Sequence, residues 1–172
     1  MKKLIGLLAT LALGYTAQSF AVDADLYFTG TLTAPSCTVD GDATVQLPPA
    51  LTHDMNAAGA PTTFSPTAFN ISLSNCTNVE TVTMTLSATT DTLPSVLKNT
   101  GTAGGVGVQL LKANAVNDKT GTPLDFTAPL VMSKIDSNTV MTIPFVAQYY
   151  VLAQPVTPGK VAAMATFNFT YK

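Results

Sequence analysis

Few residues in this chain belong to types that do chemistry. There is one histidine, His53, next to Asp54, and there are two cysteines, Cys37 and Cys76. Arginine and tryptophan are absent, and charged residues make up only 10% of the sequence. Hydrolysis through a serine would need a nucleophile on a tight turn within reach of His53. No Gly-x-Ser-x-Gly elbow exists, so His53 reads as a solvated loop histidine and the chain as no enzyme. Two distant cysteines with one histidine do not make a zinc site, so no metal or other cofactor is expected. Asn70-Ile-Ser, Asn75-Cys-Thr and Asn168-Phe-Thr match the glycosylation pattern, but Asn and Thr are common enough here for chance matches. The remaining chemistry is redox. An even cysteine count in an oxidising compartment favours one disulfide between Cys37 and Cys76 over a pair of free thiols.

The N-terminus supplies that compartment. Met1-Lys2-Lys3 is a basic start, Leu4 to Tyr15 is an apolar run, and Ser19-Phe20-Ala21 carries the small residues of a cleavage site. This is the pattern of a secretory signal peptide over residues 1–21, with cleavage after Ala24 as the alternative. The apolar run is too short to act as a spanning anchor. Cleavage after Ala21 leaves 151 of the 172 residues, enough for one domain with a full core. Losing Lys2 and Lys3 moves the formal charge from −2 to −4, which excludes nucleic acid as a partner.

Two elements at opposite ends of the mature chain stand out. From Gly159 every second residue is small or apolar: Val161, Ala163, Ala165, Phe167, Phe169, Tyr171. The residues between them are mostly polar, so the period of two predicts a long strand over 159–171 with one buried face. A last strand is an open edge unless something pairs with it. At the other end Ala24, Leu26, Phe28, Gly30 and Leu32 form one parity of a second alternating stretch, which Pro35 stops. This strand precedes the first cysteine and could detach from the body.

Between them the chain reads as all β. Short strands are expected at Cys37–Val39 and Thr44–Leu47, then a loop from Pro48 to Pro66. Further strands are expected over Phe69–Cys76, Thr81–Ala88, Val106–Lys112 and Thr139–Val151, with Pro144 marking an edge or a bulge. Leu124–Val131 is at most an edge strand because of Pro129. A turn-rich stretch runs from Thr89 to Gly105, in which Pro94–Lys98 makes at most one helical turn. Regularly spaced strands with Pro and Gly turns suggest an immunoglobulin-type β-sandwich.

Together these features resemble the subunits of chaperone–usher pili of the type 1 and P classes. Four carry the likeness. The alternating extension ends just before Ser36-Cys37-Thr38-Val39, and Phe69-Asn-Ile-Ser-Leu-Ser-Asn leads into Cys76. Ile143-Pro-Phe145-Val-Ala147-Gln-Tyr149 precedes the end, and the closing strand runs from Gly159 to the penultimate Tyr171. The resemblance spans the whole chain. It implies an immunoglobulin-like sandwich over 36–172 that lacks its final strand, completed by donor-strand complementation.

By the same likeness, residues 22–35 are the extension that one subunit donates to the next. Leu26, Phe28 and Leu32 would fill pockets, and Gly30 would sit where the groove leaves no room for a Cβ. Gly159, Val161, Ala163, Ala165, Phe167, Phe169 and Tyr171 would form the receiving edge. The implied partners are neighbouring subunits, a periplasmic chaperone, an outer-membrane usher and, for an adhesive subunit, a host receptor. The route leads through the periplasm to a fimbrium on the cell surface. The competing organisation is a complete sandwich, with the N-terminal strand folded back onto its own domain.

Overall fold

The computed structural model describes residues 36–41, 44–133 and 140–172. Alternation of aliphatic residues with Thr, Ser and Asn folds almost all of it into strands. These are β1 (Ser36–Gly41), β2 (Thr62–Thr77), β3 (Thr81–Ala88), β4 (Val96–Leu97), β5 (Val106–Ala113), β6 (Gly121–Pro123), β7 (Leu130–Ser133), β8 (Met141–Val151) and β9 (Ala165–Tyr171). One sheet has the order β1-β2-β8-β5-β4, with β6 also on β5, and the other is β7-β3-β9. Every pairing is antiparallel. The signal-peptide and donor-extension expectations fall on residues outside the described ones.

The two sheets close on a shared core. In β3 the inward Val82, Met84 and Leu86 are buried, while Thr85 and Ser87 face outward and are exposed. Phe145 of β8 is fully buried. Its ring stacks on Phe69 of β2 at 5.4 Å and meets Phe167 of β9 at 5.4 Å, so one side chain joins the sheets. Cys37 and Cys76 form a disulfide that fastens the start of β1 to the end of β2, with their Cα atoms 4.1 Å apart.

Several local expectations need correction. Pro144, expected at an edge or a bulge, is not among them: β8 runs between β2 and β5, but at Pro144 it pairs with Asn70 of β2 alone, so the position is locally an edge. The β5 ladder ends at Lys112↔Phe145, one residue short of the proline, which leaves it a place where a missing donor is tolerated. The stretch read as a loop contains a helix, α1 (Thr52–Ala58), with Asp54 in its first turn. Asp54 suits the positive end of a helix dipole, and Gly59, at φ 80°, ends the helix by donating its N–H to Met55 O at 3.2 Å. Residues 96–97 form β4 rather than part of a helical turn, since their backbone pairs with Val108 and Gln109. Thr44–Leu47, expected as a strand, joins no ladder. The last strand begins at Ala165, not at Gly159.

Candidate functional site: an open groove beside the last strand

β9 uses one edge only. It pairs with β3 from Ala88↔Ala165 to Val82↔Tyr171, and among the described residues no strand pairs with its other edge. Lys172 extends the same ladder: its N–H donates to Thr81 O at 3.0 Å, and its carbonyl accepts from Glu80 N and Thr81 N. Upstream of Ala165, β3 has ended and a different partner takes over. Thr100 N donates to Ala162 O at 2.8 Å and Ala103 N to Lys160 O at 3.0 Å. Residues 159–164 therefore spend these backbone groups on the loop at 99–103, which is why they are not part of β9.

The alternation expected from the sequence runs unbroken through this change of partner. Val161, Ala163, Ala165, Phe167, Phe169 and Tyr171 point inward, while Lys160, Ala162, Met164, Thr166, Asn168 and Thr170 are exposed. The inward set packs against the main core yet is only half-buried. Val82 and Met84 face the same core from the neighbouring strand at 0% exposure. The difference lies on the open side of β9, where a groove of about 530 Å³ runs along the wall from Val161 to Phe167.

Thr44–Leu47 forms the opposite wall, and Leu97, Val108, Leu110 and Ala147 of the larger sheet line the groove between them. Val45 and Leu47 turn inward and Thr44 and Gln46 outward, so this segment has a strand's alternation without a strand's ladder. A smaller hollow of about 170 Å³ continues past Val161 and Tyr149 toward Met55, Val106 and Val156. No ionisable side chain except the phenol of Tyr149 lines either space. Burial pushes the hydroxyl pKa of Tyr149 up, and that of Tyr171 as well.

The sequence thus located one wall of the groove. The facing wall was legible only as a short strand, and the contribution of the larger sheet depends on long-range register. Gly159 is exposed, but a Cβ there would run into Ala103 N and come within 2.6 Å of Thr102 C. Its backbone lies against the loop at 99–103, and it lines the smaller hollow rather than the main groove. The proposed donor residues Ala24, Leu26, Phe28, Gly30 and Leu32 lie outside the described residues.

Ionisable groups elsewhere make ordinary turns. The Asp118 and Asp125 carboxyls are held below their usual pKa by the hydroxyls and N–H groups of Thr120 and Thr127. Among the described residues no three His, Cys, Asp or Glu side chains gather where they could hold a metal ion. No described helix is long and apolar enough to cross a membrane.

The chain has counterparts among known proteins in both sequence and fold. The profile described as fimbrial protein matches residues 26–172. The chain belongs to the fimbrial protein family. Among relatives it is 29% identical over 159 residues to the S-fimbrial adhesin protein SfaS of Escherichia coli O6:K15:H31 (strain 536 / UPEC), covering 92% of this chain and 90% of that protein. An antigen and type I fimbria protein of Burkholderia pseudomallei superposes with TM-score 0.58 at 26% identity, over 80% of this chain and all of the other. The P pilus rod subunit PapA superposes with TM-score 0.57 at 19% identity, over 79% of this chain and 99% of PapA. The fold is the immunoglobulin-like sandwich of pilus subunits. A fimbrial protein of this kind belongs at a cell-surface fimbrium.

Proposed function

We propose that this fimbrial subunit polymerises by donor-strand exchange, with residues 22–33 of one copy entering the groove of the next. The observation that carries the reading is the pair of unjoined walls. Among the described residues β9 pairs along one edge only, Thr44–Leu47 alternates without a ladder, and both line a groove with no charged side chain. One added strand would supply the hydrogen bonds that both walls lack and cover the half-buried Phe167 and Val161. Backbone bonds in such a complex are indifferent to sequence, so the alternate side chains decide fit; pilin complementation is itself a recognised example of this mode.

The chain carries a segment suited to the task. Ala24, Leu26, Phe28, Gly30 and Leu32 share one parity. Nine residues at a strand's rise extend about 30 Å, comparable to the wall from Val161 to Tyr171. Burying each large side chain contributes roughly 1.5–3 kcal/mol. Before assembly the groove is an aggregation hazard, which a periplasmic chaperone relieves by lending a strand until an outer-membrane usher presents the next subunit.

The test is deletion of residues 22–33. Cells producing only the deleted chain should make no fibres, while that chain should still accept a wild-type neighbour at its groove. Fibres of normal length built from the deleted chain alone would overturn the reading.

The likeness to SfaS, which is named an adhesin, favours a second reading in which the subunit itself binds a host glycan or protein. Binding of purified fibres on a glycan array, lost on substitution outside the groove, would establish it.

A further inference from the structure

The wall beside the open groove is held by two different devices. From Ala165 to Tyr171 a continuous main-chain ladder to β3 fixes it. From Gly159 to Met164 it leans on a loop, and much of that attachment runs through side chains. Asn99 is the centre. Its Oδ1 accepts from Ala162 N at 2.9 Å and from Gly101 N at 2.8 Å, while its Nδ2 donates to Ala103 O at 2.7 Å. One amide thus shapes its own loop and grips the wall 63 residues away. Thr100 Oγ1 adds a bond to Ala162 O at 3.0 Å, and Lys160 N donates to Thr102 Oγ1 at 2.9 Å. Glycines let the backbones meet: a Cβ on Gly101 would strike Lys160 O, and one on Gly159 would strike Ala103 N.

We infer that Asn99 is a positioning residue for strand uptake, setting the line of the groove wall at Val161 and Ala163 so that an incoming strand finds a straight edge there. This rests on the donor-strand reading and adds which end of the groove is adjustable. Every strand pair among the described residues is antiparallel. A donor that follows suit places Leu32 at the Val161 end and Ala24 near Tyr171. Asn99 therefore acts on the Leu32 end alone, because the ladder to β3 fixes the other end without it.

The test uses the full chain carrying Phe28→Asp, which cannot donate, and a fluorescent peptide of residues 22–33. With Asn99→Ala added, peptide association should slow about tenfold, as loss of its one hydrogen bond to the wall implies. Against a Leu32→Ala peptide the same substitution should make almost no difference, whereas against a Leu26→Ala peptide the tenfold effect should persist. Asn99→Asp keeps the acceptor oxygen for Ala162 N and should recover most of the rate. Hydrogen exchange at Ala162 should quicken in Asn99→Ala and recover in Asn99→Asp.

Equal slowing against all three peptides would overturn the inference, as would no slowing at all, while donor exchange itself stands. Failure of the parent chain to take up any peptide would overturn the donor-strand reading with it. If Asn99→Ala does not fold, the isosteric pair Thr100→Val and Thr102→Val, both at exposed sites, carries the same comparison with a smaller expected slowing.

Discussion

Phe145 shows how one side chain can decide whether two sheets stay together. Its ring lies between Phe69 and Phe167, with no exposed surface. Phe145→Ala should cost about 3–5 kcal/mol, read as a lower denaturation midpoint, because it leaves a cavity as well as losing burial. Tyr149 gives a pH signature. Burial raises its pKa, so the folded chain holds the phenolic proton to higher pH than the unfolded chain does. Its contribution to stability is complete below about pH 10 and declines as pH rises through the folded value. Melting curves should therefore fall off in alkali, and less steeply in Tyr149→Phe. The inward parity from Val161 to Tyr171 was legible because side-chain direction in an extended chain depends only on a period of two. The depth of burial was not, since it depends on which strands pack beside β9 from far along the chain. Asn99 gave no local signal, because an asparagine near glycines reads as a turn and its partner lies far along the chain.

At the scale of elements, β3 was recovered residue for residue, because Thr81–Ala88 alternates cleanly and turns bound it. β9 was drawn too long, since pattern alone cannot tell a ladder to β3 from a loop that imitates one. Pro144 did mark a local edge, because a proline suits a strand position paired on one side only; that β8 is flanked on both sides over the rest of its length was not legible from it. The seven-residue α1 was hidden inside a Pro- and Gly-rich stretch that otherwise reads as loop. The disulfide between β1 and β2 closes a separation of 39 residues. In the chain-entropy account, removing it costs about 4 kcal/mol. Replacing Cys37 and Cys76 together by alanine should lower the urea midpoint accordingly, with the sandwich signature in circular dichroism retained where the chain still folds.

For the molecule as a whole, no charged side chain lines the groove, and on the donor-strand proposal this sets how assembly answers to its surroundings. Association between subunits should change little between low and high sodium chloride, since there are no facing ions to screen. Sulfate should strengthen it by favouring apolar burial. A strong loss of association rate with sodium chloride would place the controlling contacts outside the groove.

The bridge from Cys37 to Cys76 has a mechanical consequence. In a fibre linked through N-terminal strands, tension enters each body just ahead of Cys37. The covalent bond shunts that pull past β1 into the far end of β2, which is laddered to β8 along most of its length. Load is thus shared by many backbone bonds in shear instead of unzipping the outermost strand one bond at a time. Reducing agents should leave an unstressed fibre intact while lowering the force at which its subunits unravel.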